Sequence, residues 1–227
     1  MALMQIGLIG GIGPAATDFY YRTLIQKFAS GDAELDMTIV HADAPTLVKN
    51  LMSDNKDAQV EIYERLTQRL KNAGADCVAV TSISSHFCIE NFKEKSVLPV
   101  VEMLSCVEKE VRNRGYKKIG ILGTKPVMES KFYSGITSAE VILPDGNLLE
   151  EVHKSYVNMA TLGSANDEQR KVFESACNQF LKINKVDAVM LGGTDLALVY
   201  HASNVDFELV NCAEIHAQKL SNFVTQF

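Results

Sequence analysis

The chain has no surplus of positive charge: 22 Lys and Arg stand against 28 Asp and Glu, for a formal net charge of −6. Neutralisation of backbone phosphates, the main source of nucleic-acid affinity, therefore has no footprint, and nucleic acid is excluded as an expected partner. No apolar run approaches the roughly 20 residues that cross a bilayer, so no membrane partner is expected. The start, Met1-Ala2-Leu3-Met4-Gln5-Ile6, lacks a basic region and runs directly into a predicted strand, so no secretory leader is expected. The five cysteines, Cys77, Cys88, Cys106, Cys177 and Cys212, are scattered, odd in number and without a CxxC. That pattern argues against a disulfide framework and against zinc, and a reducing cytoplasm fits it. His41, His153, His201 and His216 have no ligand-like spacing, so no metal is expected. Nor is there a Ser/Pro-rich linker or a low-complexity segment.

What is present is a plan written twice. Ile6-Gly7-Leu8-Ile9-Gly10-Gly11 is followed by Ala75-Asp76-Cys77-Val78-Ala79-Val80-Thr81-Ser82. Ile119-Gly120-Ile121-Leu122-Gly123-Thr124 is followed by Val186-Asp187-Ala188-Val189-Met190-Leu191-Gly192-Gly193-Thr194. An apolar strand ending in a glycine turn, then Asp, a second apolar strand and a turn of small residues, indicates a duplicated α/β unit. Ser82 and Gly193 take equivalent places in it. At 227 residues, two domains of roughly 100 residues each are favoured.

Strands are predicted at 5–10, 37–42, 76–81, 98–102, 118–123, 140–143, 186–191 and 207–211, short and apolar as for strands covered on both faces. Amphipathic stretches lie between them. In 57–73, Val60, Tyr63, Leu66 and Leu70 recur at helical spacing and Gly74 marks the stop. In 166–182, Asn166 is placed to cap a helix whose Val172, Ala176 and Phe180 share a face. This alternation predicts parallel sheets made of βαβ units, with ligands bound beyond the carboxyl ends of the strands, at loops 10–14, 81–86, 123–127 and 192–195. The predicted division is 1–100 plus 213–227 for one lobe and 101–212 for the other, the last helix packing back on the first half.

The glycine loop that opens the chain, Gly7 to Thr17 with Pro14 in a first helical turn, presents backbone donors to an anion. Its spacing matches neither GxGxxG nor GxxxxGK[ST], and Val40-His41-Ala42-Asp43 is a poor ribose-binding strand end. A small carboxylate is the leading reading, with a ligand-free tight turn and then a dinucleotide as the alternatives.

The motifs GxxGGxGPxAT, Ser82-Ile83-Ser84-Ser85-His86, Leu122-Gly123-Thr124 with Met128-Glu129 and Phe132-Tyr133, Leu191-Gly192-Gly193-Thr194-Asp195-Leu196 and Glu214-Ile215-His216-Ala217 together resemble the aspartate/glutamate racemase family over essentially the whole chain. The resemblance implies two Rossmann-like lobes with parallel sheets, related by a pseudo-twofold, a site in the cleft between them, no cofactor and a homodimer. It implies a cofactor-independent isomerase of amino-acid metabolism that moves the α proton between two opposed cysteines.

Both thiols are replaced. The family's Cys-Asn-Thr-x-His turn reads Ser82-Ile83-Ser84-Ser85-His86, and its Leu-Gly-Cys-Thr-Glu reads Leu191-Gly192-Gly193-Thr194-Asp195. L-aspartate/glutamate-specific relatives carry Thr at the first position but keep the second cysteine. The resemblance therefore marks Ser82, Gly193 and Thr194 as the catalytic positions. Gly11, Ser84, Thr124, Thr194, Asp195 and His86 are the substrate-binding positions, with backbone amides at Gly11, Gly123 and Gly193 adding donors. Ile83 stands where an Asn helps hold substrate, and Asp43-Ala44-Pro45-Thr46 lacks the Arg that reads a side-chain carboxylate. Since a positioned acid or base contributes about 10²–10⁴, loss of both withdraws on the order of 5–11 kcal/mol of barrier reduction if the two act independently. A weak aspartate/glutamate-type racemase is expected. The alternatives are an inactive small-carboxylate-binding or regulatory homologue, or a carbanion-stabilising decarboxylase or isomerase of another small acid. On the first reading, thiols restored at 82 and 193 are expected to raise racemisation.

Overall fold

Two aspartates set where the central strands begin. Asp76 Oδ2 accepts the Gln5 N–H at 2.7 Å, and the Asp76 N–H donates to the Gln5 carbonyl at 2.9 Å. Asp187 repeats this: its Oδ2 accepts the N–H groups of Lys117 and Lys118 at 2.7 and 2.9 Å, and its N–H donates to the Lys118 carbonyl at 2.7 Å. A carboxylate just ahead of one strand thus satisfies the first donors of its neighbour and fixes the register. The repeated Asp seen in the sequence is this clamp.

The computed structural model describes residues 4–29, 34–201 and 203–225; the start Met1–Leu3 lies outside them. The chain divides into two units, Met1–Met103 with His216–Phe227, and Leu104–Ile215. In the first, β1 (Gln5–Gly10) lies between β2 (Asp36–His41) and β3 (Cys77–Val80), all parallel. Helices α1 (Pro14–Ala29), α2 (Ala44–Met52), α3 (Lys56–Asn72) and α4 (Ile89–Lys95) connect and cover these strands. Tyr63, Leu66 and Leu70 of α3 pack with Ile9, Val78, Val80 and Phe92 in one buried cluster. Asp43 caps α2 by accepting the Thr46 N–H at 3.0 Å.

In the second unit the parallel order is β5 (Glu140–Ile142), β4 (Lys118–Gly123), β6 (Ala188–Gly192), β7 (Leu209–Asn211). Its helices are α5 (Met103–Arg114, beginning at the boundary), α6 (Lys125–Glu129), α7 (Asn147–Leu162) and α8 (Asp167–Asn178). Asn166 forms a full capping box with Gln169. The last helix, α9 (Cys212–Thr225), ends in the first unit, where buried His216 accepts the Tyr20 hydroxyl proton at Nδ1 (2.7 Å) and donates from Nε2 to the Val101 carbonyl (2.8 Å).

Two sequence expectations are corrected. The run 98–102 is no strand but a single parallel bridge, Val78 to Val100. Pro99 supplies a carbonyl to Val78 N–H (2.9 Å) but has no N–H to continue the ladder. The helix expected over 166–182 stops at Asn178 and widens into a π turn, Gln179–Asn184, in which Phe180 lies over Gly120. A Cβ at Gly120 would meet that ring at 2.4 Å, and one at Gly7 would meet the Cys77 carbonyl at 2.8 Å and Leu70 at 3.0 Å. The third residue of each central strand is glycine because another element crosses it at that point.

Candidate functional site

Each unit brings the ends of its two central strands together. In the first, Ile9 pairs with Val80 and Thr81 N–H donates to the Ile9 carbonyl at 3.1 Å, so the turn from Gly11 and the turn from Ser82 leave the sheet side by side. Thr17 Oγ1 lies 3.3 Å from Thr81 Oγ1. Gly11 is tightly enclosed, a Cβ there meeting Leu47 at 2.7 Å and the Ala42 carbonyl at 2.9 Å. Pro14 opens α1 directly after Gly13, whose φ of +74° is the left-handed conformation that favours glycine.

After Ser82 the chain enters a 3-10 turn, Ile83–Cys88, with Ile83, Ser84, Ser85 and His86 all buried. His86 is the lock of this turn. Its Nδ1–H donates to the Ser82 carbonyl at 2.8 Å, and its Nε2 accepts the Met103 N–H at 3.3 Å. Both nitrogens are committed, and burial holds the imidazole pKa below its ordinary value. Ser85 Oγ is buried with no hydrogen-bond partner.

In the second unit Gly123 pairs with Gly192, so Thr124 and Gly193 each follow directly on the last paired residue of their strands. Thr124 Oγ1 is buried with no hydrogen-bond partner. Gly193 precedes a 3-10 turn, Thr194–Leu198, whose first two residues, Thr194 and Asp195, are buried. Thus Gly11, Ser82, Ser84 and His86 cluster in one unit, and Thr124, Gly193, Thr194 and Asp195 in the other.

Three residues on α7 escape sequence reasoning. Glu150, His153 and Tyr156 are spaced by three, and α7 packs on β4, α6 and the turn after β6. Glu150 pairs with Lys125, the residue after Thr124. His153 Nδ1 accepts the Lys125 N–H at 3.2 Å. The Tyr156 hydroxyl donates to Asp195 Oδ2 at 2.9 Å. The available signal was a polar residue at every third position of an otherwise apolar helix face, a weak one because Val152 and Met159 fill the same face.

Four of the five cysteines are unsuited to replace the missing pair. Cys77 and Cys88 are buried, and burial pushes their thiols up to about 11 and about 12. Burial also raises Cys177 to about 11 and lifts Cys212 further still. All four are protonated small hydrophobes at neutral pH.

Two α/β units of parallel strands, each ending in a turn of glycines and buried hydroxyls, define an α/β fold of the class whose ligands bind beyond the strand ends. A family model for Asp/Glu/hydantoin racemases matches residues 9–220, and the chain belongs to that family. Among solved structures it is similar to a Yersinia pestis protein assigned as an Asp/Glu racemase, at 23% identity with TM-score 0.84, covering 99% of this chain and 100% of that one. An aspartate racemase homologue from Pyrococcus horikoshii matches at 23% identity and TM-score 0.83, covering 98% and 100%. Glutamate racemase from Francisella tularensis, solved with D-glutamate, matches at 15% identity and TM-score 0.65, covering 98% and 81%. At these identities the likeness is one of fold.

Proposed function

We propose that this protein is a racemase-type isomerase of small acidic amino acids, aspartate- or glutamate-like, that turns over slowly. The observation that carries the reading is Thr124 Oγ1. It is a buried hydroxyl without a partner at the end of β4 in a member of this racemase family, and leaving such a group unsatisfied costs about 1–3 kcal/mol. A ligand carboxylate is the chemistry that satisfies it, aided by Thr194 and by backbone N–H groups at Gly123 and Gly193. His86 acts by holding the Ser82 turn rather than as a base. Ser82 supplies a hydroxyl, a far poorer acid than a thiol, where the first cysteine stands in relatives, which is why turnover is slow.

The test is calorimetry with aspartate, glutamate, malonate and citrate, alongside α-deuterium incorporation in D2O. At least one acid binds at millimolar concentration or better, Thr124→Val weakens it about tenfold, and aspartate or glutamate exchanges its α proton. Failure of every acid to bind overturns the reading.

A second reading, a carboxylate-binding protein without chemistry, is favoured by one observation: the Tyr156 ring lies where a side chain at 193 would extend. Binding with no deuterium incorporation selects it.

A further inference from the structure

Position 193 is not an open place beside the strand end. A Cβ there would lie 2.2 Å from Tyr156 Cε2, 2.4 Å from Cζ and 2.6 Å from the hydroxyl oxygen. Carbon atoms in contact sit about 3.5–4.0 Å apart, so any side chain at 193 requires the ring to leave. The ring is tethered where it is. It comes from the middle of α7, it is buried, and its hydroxyl bonds to Asp195, two residues beyond Gly193 on the same turn. Moving it breaks that bond and uncovers the Asp195 carboxylate. Glycine at 193, tyrosine at 156 and aspartate at 195 are one interlocking arrangement. The expectation that thiols restored at 82 and 193 raise racemisation therefore gains a condition: the space at 193 belongs to Tyr156.

We propose that Tyr156, held by Asp195, fills the side-chain position of residue 193 with a neutral phenol and denies this strand end a base, so that α-proton exchange outruns inversion in this protein. The phenol gives its proton to a carboxylate, and ionising it would set two buried negative oxygens 2.9 Å apart. Burial first, and then the Asp195 charge, hold it well above the ordinary tyrosine range. Inversion needs the α proton removed from one face and returned to the other. With no acid–base group at 193 and the ring covering that side, the α proton passes to water on the open face and D2O returns a deuteron to the carbanion on that same face. Tyr156 is in this sense a specificity-determining residue, and the proposal rests on the isomerase reading above.

Two measurements separate the proposal from that reading. The first is a thermal-stability cycle of Gly193→Ala, Tyr156→Ala and the double variant. Gly193→Ala lowers Tm by several degrees in the wild-type background and by nothing measurable once Tyr156 is Ala. Additive losses overturn the proposal. The second follows L-aspartate and L-glutamate in D2O, scoring α-deuterated L product against D product. Wild type gives at least a tenfold excess of exchange over inversion. Gly193→Cys alone leaves that ratio in place with a lower Tm, and Gly193→Cys with Tyr156→Ala cuts it at least tenfold, with the introduced thiol open to mapped alkylation. Equal exchange and inversion by wild type overturn the proposal and uphold the isomerase reading. Coupling in the cycle with no exchange by any variant overturns the isomerase reading, and the exchange claim with it, while Tyr156 still occupies position 193.

Discussion

The two units share a backbone plan and differ in their chemistry. Asp76 and Asp187 clamp the adjacent strand by the same hydrogen bonds, Gly7 and Gly120 admit a crossing element at the same position, and Ile6 pairs with Cys77 as Ile119 pairs with Ala188. Beyond the last strand residue the likeness ends. The first unit closes its turn with an imidazole that spans the Ser82 carbonyl and the Met103 amide. The second closes its turn with a phenol borrowed from α7 and a buried carboxylate. Backbone geometry answers to register and close packing, which tolerate few residue types. The turns answer to what must be bound, and there each unit has its own solution.

The largest expected effect tests the shared part. Gly120→Val drives two methyl groups into the Phe180 ring, and the wide π turn that carries Phe180 has to shift. A loss of about 3 kcal/mol or more is expected from overpacking on this scale. Gly7→Val meets a backbone carbonyl and the flexible tip of Leu70, so its loss should be of the same order. Urea unfolding of both variants checks this. A neutral result at either position breaks the structural equivalence of the two glycines.

Next is acid. His216 is buried and desolvation, with His86 a smaller influence, pushes its pKa down to about 3. The two rings are 6.1 Å apart. Above pH 6.5 both folded and unfolded states hold His216 neutral. Below it the unfolded chain takes up the proton and the folded chain does not, so stability falls as pH falls from about 6.5 towards 3. From pH 7 to pH 5 this one residue withdraws about 2 kcal/mol, and buried His86, also shifted down, adds in the same direction. Among the described residues the second unit has no such pair; its His153 is half-buried and its His201 exposed. Hydrogen exchange at pH 5 is expected to show protection lost first around Tyr20, Val101 and His216. Loss beginning in β4 and β6 instead would show that the histidine pair does not control acid stability.

Much of this was legible in the sequence, for physical reasons particular to each feature. The central strands and their glycine ends could be read because buried parallel strands leave uninterrupted apolar runs, and Asn166 could be read because caps are chemically narrow. The run 98–102 misled because apolar content outweighed the missing donor of Pro99. Tyr156 was invisible as part of the site because it lies 37 residues before Gly193 and resembles any core tyrosine on an amphipathic helix. The substitution at 193 showed that a side chain was missing and not that another had taken its volume.

A smaller effect sharpens the clamp comparison. Asp187 accepts two strand-opening donors and Asp76 accepts one. Both carboxylates are exposed, so water replaces them at modest cost. Asp187→Ala is expected to lower Tm by roughly 2–4 °C and Asp76→Ala by less. Equal losses would mean that one bond per clamp carries the effect.

The smallest effect concerns a device found in the second unit alone among the described residues. After α6 the chain runs through Lys131, Phe132, Tyr133 and Ser134, all with φ between +51° and +56°. Four successive non-glycine residues in the left-handed region are costly, at roughly 1–2 kcal/mol each, and the turn persists because Phe132 is buried and Tyr133 N–H is held by Ser130 Oγ at 2.7 Å. Ser134 is the exposed last member, and its side chain makes only a 3.3 Å bond to the Ser130 carbonyl. Glycine there removes the Cβ conflict but loosens the unfolded chain by about 0.5–1 kcal/mol. Ser134→Gly is therefore expected to stabilise the protein by roughly 0.5 kcal/mol, read as a higher urea midpoint at unchanged m value. The gain is small because the two effects nearly offset, and its sign is the decisive result. A destabilised variant would mean that Ser134 holds this turn through its side chain and that the left-handed run is not under strain at its end.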